Sequence, residues 1–242
     1  MQEIICPICG ITHTTIPYKC DCGYEGNKLT LKDYRDYNKL LFSIYKFSKG
    51  IFNKKIDWKQ SNYDLINYSD NRVGIYEIFD KRSISYVDLK VKDKTVEVTN
   101  GVLAFNHDVK SLIINADYLD HEMLDESSVK MLFIGDRVKE MSPFINASLK
   151  YLEVDKNNPY FTSQNNVLFN KNMTKLILYC NLKPDIEYTI PESVKIVSSW
   201  AFIGYSQRKD ALKVIHCSKN VKFEDTHCTP SPYEFIKIIR DK

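Results

Sequence analysis

The chain has 242 residues, of which 43% are hydrophobic and 27% are charged, and its formal net charge at pH 7 is +3. This length suits one large domain or two modest ones, and the composition is typical of a soluble globular protein. No stretch approaches about 18 uninterrupted apolar residues, so no membrane span is expected, and so small a charge does not by itself indicate a nucleic-acid-binding protein.

Four cysteines lie close together at the start of the chain, in two pairs. Cys6 and Cys9 have the Cys-x-x-Cys spacing that points two thiolates at one centre, whereas Cys20 and Cys22 are separated by a single residue. Four thiolates form the tetrahedral set that structural Zn²⁺ prefers, so the sequence predicts a Zn²⁺ ion held by these cysteines. The arrangement resembles a zinc ribbon and predicts a small module over residues 1–28, too small to fold without its metal.

Other interpretations of these cysteines remain open. His13 could replace one thiolate as a ligand. A redox Cys-x-x-Cys site would need a long helix after the pair, but threonines and Pro17 follow instead. Structural disulfides would require export, and residues 1–5 do not look like a signal peptide. We therefore expect reduced or metal-bound cysteines in a cytoplasmic protein.

A connector is predicted over residues 29–83. Apolar residues recur every three to four positions from Thr30 to Phe47, which predicts an amphipathic helix over 30–47. Lysines alternate with Phe52 and Trp58 in the stretch 46–59, a pattern that can bind single-stranded nucleic acid through phosphates and stacking. The alternative is a solvated surface with anchoring aromatic residues.

The remainder, residues 84–242, is predicted to be a strand-rich domain. Alternating apolar residues between Ser85 and Val91 indicate a strand, and Lys92 to Lys94 form a turn. Val96 and Val98 then continue the apolar face, so we expect a hairpin at the start of this domain.

A repeat follows this hairpin. The segment Val109–Ile114 recurs as Val129–Ile134 and as Leu149–Val154, each copy beginning 20 residues after the last. The first, fourth and sixth positions are apolar in every copy, the pattern of leucine-rich repeats, which stack into a solenoid and share one core. The register continues at Tyr188 and Ile190 and again from Leu212 to Cys217.

Several segments around these repeats resemble the BspA-type leucine-rich repeat family. They include Asn166-Val167-Leu168-Phe169-Asn170-Lys171 followed by Thr174-Lys175-Leu176-Ile177, which together match a hairpin that interrupts the coils. Another is Tyr188-Thr189-Ile190-Pro191, which matches a turn between coils. Residues 100–106 look like an imperfect second copy of the hairpin. The resemblance covers about residues 100–240 and implies a right-handed solenoid that binds macromolecules without a catalytic centre. Family members are often displayed at cell surfaces, which is the alternative to a cytoplasmic location.

The third and fifth repeat positions are expected to point outward, away from the shared core. They would form an apolar and aromatic patch with acidic residues at one side, which is typical of protein-contact sites. The alternative is that the predicted helix or residues 48–83 cover the patch as a cap. The predicted partner-binding residues are Ile113, Met131, Phe133, Tyr151, Glu153 and Glu187.

Catalysis has little support in the sequence. It contains no phosphate-binding glycine loop, nucleophile elbow or His-Glu-x-x-His motif, and the pairs His216-Cys217 and His227-Cys228 fit no usual metal spacing. We therefore predict a non-enzymatic protein-protein interaction protein with a structural zinc module and a partner of unknown identity. The alternative is a nucleic-acid-binding protein that uses the ribbon and residues 46–59.

The zinc prediction can be tested directly. The purified chain is expected to contain one Zn²⁺ per molecule by elemental analysis, and Cys9→Ser is expected to lose it because a three-thiolate site binds the ion more weakly. Cys228→Ser, outside the predicted ligand set, should keep the metal. Zinc loss in both variants, or in neither, would contradict the assignment.

Overall fold

The computed structural model describes the following residues: 4–5, 12–13, 61–79, 84–99, 101–103, 106–120, 122–125, 127–141, 149–202, 212–225, 233 and 235–241. The described part contains 19 strands, and the mostly-β prediction is confirmed. Strands β1 (Ile4–Ile5) and β2 (Thr12–His13) form an antiparallel pair. The four predicted zinc ligands, the helix predicted at 30–47 and the basic stretch 46–59 lie outside the described residues. Within these residues, no helix has the length and apolarity that crossing a membrane requires.

The main body is a solenoid in which each coil contributes two strands. It begins at β3 (Asn62–Asn67), which pairs antiparallel with the first strand of the first coil. Four coils form the first stack; their strand pairs are β4 (Arg72–Phe79) with β5 (Ile84–Asp88), β6 (Thr95–Val98) with β7 (Ser111–Asn115), β8 (Tyr118–Leu119) with β9 (Met131–Ile134), and β10 (Glu140–Met141) with β11 (Tyr151–Val154).

A hairpin separates this stack from a second one. The hairpin consists of β12 (Phe161–Gln164) and β13 (Val167–Asn170). Three more coils follow, with the strand pairs β14 (Lys175–Tyr179) with β15 (Glu187–Thr189), β16 (Ile196–Val197) with β17 (Val214–Ser218), and β18 (Lys222–Phe223) with β19 (Lys237–Asp241).

Within each stack, parallel pairing joins each coil to the next. The first strands of the coils form one sheet in each stack, to which β3 and the hairpin β12–β13 add their strands. The orders are β10-β8-β6-β4-β3 and β12-β13-β14-β16-β18. The second strands form the opposite sheet, in the orders β11-β9-β7-β5 and β15-β17-β19. Equivalent repeat positions face each other, as in Leu112 opposite Leu132 and Leu132 opposite Leu152.

The repeat positions predicted to point inward are buried. The nine apolar residues of the three exact copies all belong to one core cluster and are at most 5% exposed. Burying such a side chain contributes about 1.5–3 kcal/mol relative to leaving it in water, so the stacked rows supply much of the folding energy. The nine residues are Val109, Leu112, Ile114, Val129, Leu132, Ile134, Leu149, Leu152 and Val154.

The prediction of a hairpin formed by β5 and β6 at the start of the domain is wrong. β5 and β6 do not pair with each other, because β5 pairs parallel with β7 while β6 pairs parallel with β4 and β8. The intervening turn carries the chain from one sheet of the solenoid to the other, with Asp93 in the left-handed region at a φ of 57°. The antiparallel hairpin that does open the solenoid is β3–β4, so the repeat domain starts before residue 84.

The hairpin motif matched to the resembled family coincides with β13 and β14, which pair antiparallel from Val167 opposite Tyr179 to Phe169 opposite Leu176. A second hairpin precedes it. β12 and β13 pair antiparallel from Phe161 opposite Asn170 to Gln164 opposite Val167. Asn165 and Asn166 form the two-residue turn with φ values of 52° and 61°, as tight hairpins require. The second copy expected at residues 100–106 differs, since its described residues 101–103 form a turn with no strand.

A buried polar side chain, that of Asn158, links neighbouring coils at the turn between their strands. The side-chain amide of Asn158 is fully buried and donates to the carbonyl oxygens of Gly135 (2.8 Å) and Val138 (2.9 Å). Its side-chain oxygen accepts from the backbone N–H groups of Tyr160 and Phe161, both at 2.8 Å. The Asn158 side chain therefore makes four hydrogen bonds, two to the preceding coil and two within its own turn.

Gly135 lies in this corner because another side chain fills the space beside it. A Cβ at this position would be 2.2 Å from both Cγ and Oδ1 of Asn115. Asn115 is itself held in place, since Oδ1 accepts from Arg137 N–H at 3.0 Å and Nδ2 donates to Asp136 at 3.1 Å.

We predict that Gly135→Ala lowers the free energy of unfolding by about 1–3 kcal/mol, because overpacking displaces a hydrogen-bonded side chain. Urea denaturation measures the change. The matched control is the same substitution in an Asn115→Ala background, where the clash is absent and the additional cost should be under about 1 kcal/mol. Equal costs in the two backgrounds would contradict the packing argument.

Candidate interaction surface

The outward faces of the second strands are the candidate interaction surface. We define the N-terminal sheet face as the outward side chains of β5, β7, β9 and β11, and the C-terminal sheet face as those of β15, β17 and β19. Both faces lie opposite the inward rows, because side chains alternate along a strand.

The N-terminal sheet face is not the exposed apolar patch expected from the sequence. Ile113, Met131 and Phe133 are 3%, 1% and 4% exposed, although none belongs to the inner core clusters. The prediction of an accessible site at these three residues is therefore wrong. Alternation predicts the direction of a side chain but not what covers it. The cap alternative accounts for their burial and stays a prediction, since most of residues 29–83 lie outside the described part.

Tyr151 and Glu153, on the last strand of this face, are half-buried. Glu153 lies directly opposite Phe133 in the parallel register. Burial raises the pKa of Glu153 to about 8, because its charged form is poorly hydrated there. The carboxyl group therefore holds its proton at neutral pH and adds little negative charge to the surface.

The C-terminal sheet face is open to solvent. One row across its three strands is Glu187, Val214 and Lys237, and the next is Thr189, His216 and Ile239. Glu187, Thr189 and Lys237 are exposed, whereas the other three side chains are half-buried. Nε2 of His216 lies 3.4 Å from a carboxylate oxygen of Glu187. Of the six residues predicted to bind a partner, Glu187 is the one that lies on this open face.

Two large apolar side chains border the C-terminal sheet face. Ile186 is 62% exposed and Phe235 is 49% exposed, and each precedes the strand that it borders. The backbone N–H of Lys213 donates to the Ile186 carbonyl at 2.7 Å, so these two residues are neighbours across the coils. We call Ile186, Lys213 and Phe235 the C-terminal rim.

Sequence reasoning missed the rim and strand β19. The signal was present, since Ile236 and Ile238 alternate with Lys237 and Ile239 in the manner of a half-buried strand. In the structure Ile236 is buried and Ile238 packs against the second core cluster. The final coil therefore follows the repeat pattern without its exact spacing.

The described cysteines are core residues. Cys217 is buried while the neighbouring His216 points outward, as alternation predicts. Burial raises the pKa of the Cys217 thiol, and it raises the pKa of Cys180 to about 12, so both stay protonated at neutral pH. Among the described residues, no group of three or more His, Cys, Asp or Glu side chains is placed to hold a metal ion.

A groove of about 690 Å³ lies on the opposite side of the solenoid, over the first strands. Along its floor Glu97 faces Tyr118, which in turn faces Glu140. Arg72 lies at one end, with its guanidinium 2.9 Å from Asp70, 3.3 Å from Glu97 and over the ring of Tyr68. Arg72 pairs with Glu97, which leaves Asp120 and Glu140 as further acidic residues of the lining, so the groove carries a net negative charge.

Comparisons with known proteins found similarity to solved structures at low sequence identity. No protein-family model and no curated protein matches the sequence. The chain is similar to a leucine-rich repeat protein from Eubacterium ventriosum, with 18% identity, a TM-score of 0.39 and coverage of 68% of this chain and 66% of that one. It is also similar to the pneumococcal vaccine antigen PcpA, with 14% identity, a TM-score of 0.33 and coverage of 76% and 69%. The chain thus spans slightly less than two thirds of the Eubacterium ventriosum protein.

The raised pKa of Glu153 predicts a pH-dependent stability. Its pKa is about 8 in the folded state and 4.5 at its ordinary value, so the folded chain keeps a proton that the unfolded chain loses between these pH values. The free energy of unfolding therefore falls as pH rises through this window. Glu153→Gln cannot ionise, so it should be more stable than the parent by about 1–3 kcal/mol at pH 9 and nearly equal to it at pH 4.

Denaturant titrations at several pH values measure this difference. Glu192→Gln is the matched control, because Glu192 is exposed, so its substitution should leave the pH dependence of stability unchanged. The same pH-dependent gain in both variants would show that burial of Glu153 is not its cause.

Proposed function

We propose that this protein is a non-enzymatic interaction protein that binds a protein partner through the C-terminal sheet face and the C-terminal rim. The observation that carries the proposal is the exposure of Ile186 and Phe235 beside an open sheet face. Large apolar side chains with a polar surround are typical of protein-contact sites, and burying them stabilises a complex. The corresponding apolar residues of the N-terminal sheet face are already removed from water.

The charges on this face favour a partner of defined orientation. Glu187 and Lys237 occupy the two ends of one row with Val214 between them, so negative and positive charge are separated across an apolar centre. A partner with the opposite order of charges would be attracted in one alignment and repelled in the reverse one. The apolar contacts at Ile186 and Phe235 would then supply most of the affinity.

Two further properties are part of the proposal. Cys6, Cys9, Cys20 and Cys22 would hold a structural Zn²⁺ ion, a role supported by their number and spacing. Kinship with BspA-type repeat proteins is supported by the antiparallel strands β13 and β14, which contain the residues of the resembled motif. A cytoplasmic location remains a proposal from the sequence alone.

The test compares partner capture by matched variants. Ile186→Asp combined with Phe235→Asp should weaken binding at least tenfold, because each removes an apolar contact worth more than about 1 kcal/mol. The control combines Tyr76→Asp with Tyr160→Asp, two similarly exposed aromatic residues away from this face. It carries the same change in charge and should bind normally.

Partners are captured from lysate by the parent and by both variants, identified by quantitative mass spectrometry, and then purified for calorimetry. Binding to the purified partner should show a negative heat-capacity change, which reports burial of apolar surface. Equal affinity of the two variants for the purified partner would place the binding site elsewhere.

A further inference from the structure

The groove over the first strands already holds a guanidinium group at one end. The Arg72 guanidinium lies 4.7 Å from the centre of the Tyr68 ring and contacts the carboxylates of Asp70 at 2.9 Å and Glu97 at 3.3 Å. Tyr68 is oriented here by a hydrogen bond that its hydroxyl donates to Glu97. A flat cation is thus held by an aromatic ring and two carboxylates, an arrangement that suits arginine. The groove contains one complete site for a guanidinium group, filled by the chain itself.

The neighbouring coils repeat the ring and the carboxylates without the arginine. Tyr118 lies between two glutamates in a row across β6, β8 and β10, with Glu97 opposite it on one side and Glu140 opposite it on the other. All three side chains line the groove. Along the described chain, no lysine or arginine stacks on Tyr118 or forms an ion pair with Glu140. The Tyr118 position therefore has the components of the first site but no cation.

This row faces solvent and is electronegative. Leu119, the residue after Tyr118, is fully buried in the core, whereas Tyr118 and Glu97 are half-buried and Glu140 is exposed. The groove has a volume of about 690 Å³, and its lining includes three carboxylates but one guanidinium, which leaves a formal charge of −2. A concave surface with this excess attracts cations and repels polyanions, so nucleic acid does not suit it.

We propose that the groove binds an arginine side chain of a partner protein, with the guanidinium over Tyr118 and its charge shared between Glu97 and Glu140. Neighbouring strands lie about 4.8 Å apart, so the two glutamates start about 10 Å apart with the tyrosine between them. A guanidinium within about 6 Å of the ring centre is then near both carboxylates. Arginine is favoured over lysine, because its flat group stacks on the ring while its N–H groups bond to carboxylates beside it. This site lies in the first stack and does not depend on the C-terminal sheet face.

The test measures binding of a fluorescein-labelled peptide of about eight residues, in which Arg and Ser alternate, by fluorescence anisotropy in about 50 mM NaCl. The parent should bind this peptide about threefold more tightly than the same peptide with Lys in place of Arg, because the two carry equal charge but only the guanidinium is flat. The peptide with citrulline in place of Arg has the same shape without the charge, and its binding should be lost.

Variants of the chain separate the ring from the charge. Tyr118→Leu should weaken binding of the Arg peptide about fivefold, whereas Tyr118→Phe keeps the ring and should bind within about twofold of the parent. Glu140→Gln should weaken binding about threefold, and Glu192→Gln is its matched control, because it removes the same charge from an exposed site in the second stack. Arg72→Gln should instead strengthen binding about threefold, since it removes a positive charge from the groove and vacates the site over Tyr68.

Several results would overturn the proposal. They are no binding of the Arg peptide at about 1 mM parent protein, equal binding of the Arg and Lys peptides, equal losses in the two Tyr118 variants, equal losses in Glu140→Gln and Glu192→Gln, and displacement of the peptide by CaCl₂ but not by NaCl of equal ionic strength. If Tyr118→Leu does not give a folded circular dichroism spectrum, the comparison of Glu140→Gln with Glu192→Gln decides. The Ile186→Asp and Phe235→Asp variant should bind the peptide as the parent does, so failure of the proposed function is distinguished from failure of this site.

Discussion

In-register parallel pairing of the coils is the constraint on which the whole molecule depends. A single coil has two short strands and cannot bury its own apolar side chains, so each must share its interior with the coils above and below. The rows Leu112–Leu132–Leu152 and Ile114–Ile134–Val154 exist only while this register holds. Corner contacts such as those of Asn158 stabilise the same register, because their hydrogen bonds form only between correctly aligned coils.

The same register brings residues that are distant in the sequence together on the surface. Residues about 20 positions apart in the sequence become neighbours, so a side chain that recurs once per coil forms a continuous line on the outside. Repetition of apolar residues builds the core, and the same pairing places Tyr118 between Glu97 and Glu140 on the outside. The two sheet faces differ because Ile113 and Phe133 are buried, whereas Glu187 and Thr189 meet solvent.

The repeat core and the hairpin β13–β14 were predictable from the sequence, because their signals are local. The first strands of the coils were mostly not, since pieces such as Tyr118–Leu119 are only two residues long and show no periodicity. The candidate surface was predicted only in part. Alternation correctly directed Ile113 and Phe133 away from the core, but whether an outward side chain is covered depends on distant parts of the chain that periodicity does not reveal.

The hairpin between the stacks separates the two core clusters and contributes side chains to both. Its residues alternate between the two interiors, with Leu168 in the first cluster and Val167 and Phe169 in the second, and Ile177 and Leu176 on β14 divide in the same way. The hairpin packs against a different core cluster on each side, so duplicating or deleting it would disturb the packing of both clusters. Duplication of a coil within either stack, by contrast, would extend a single cluster and leave the hairpin unchanged.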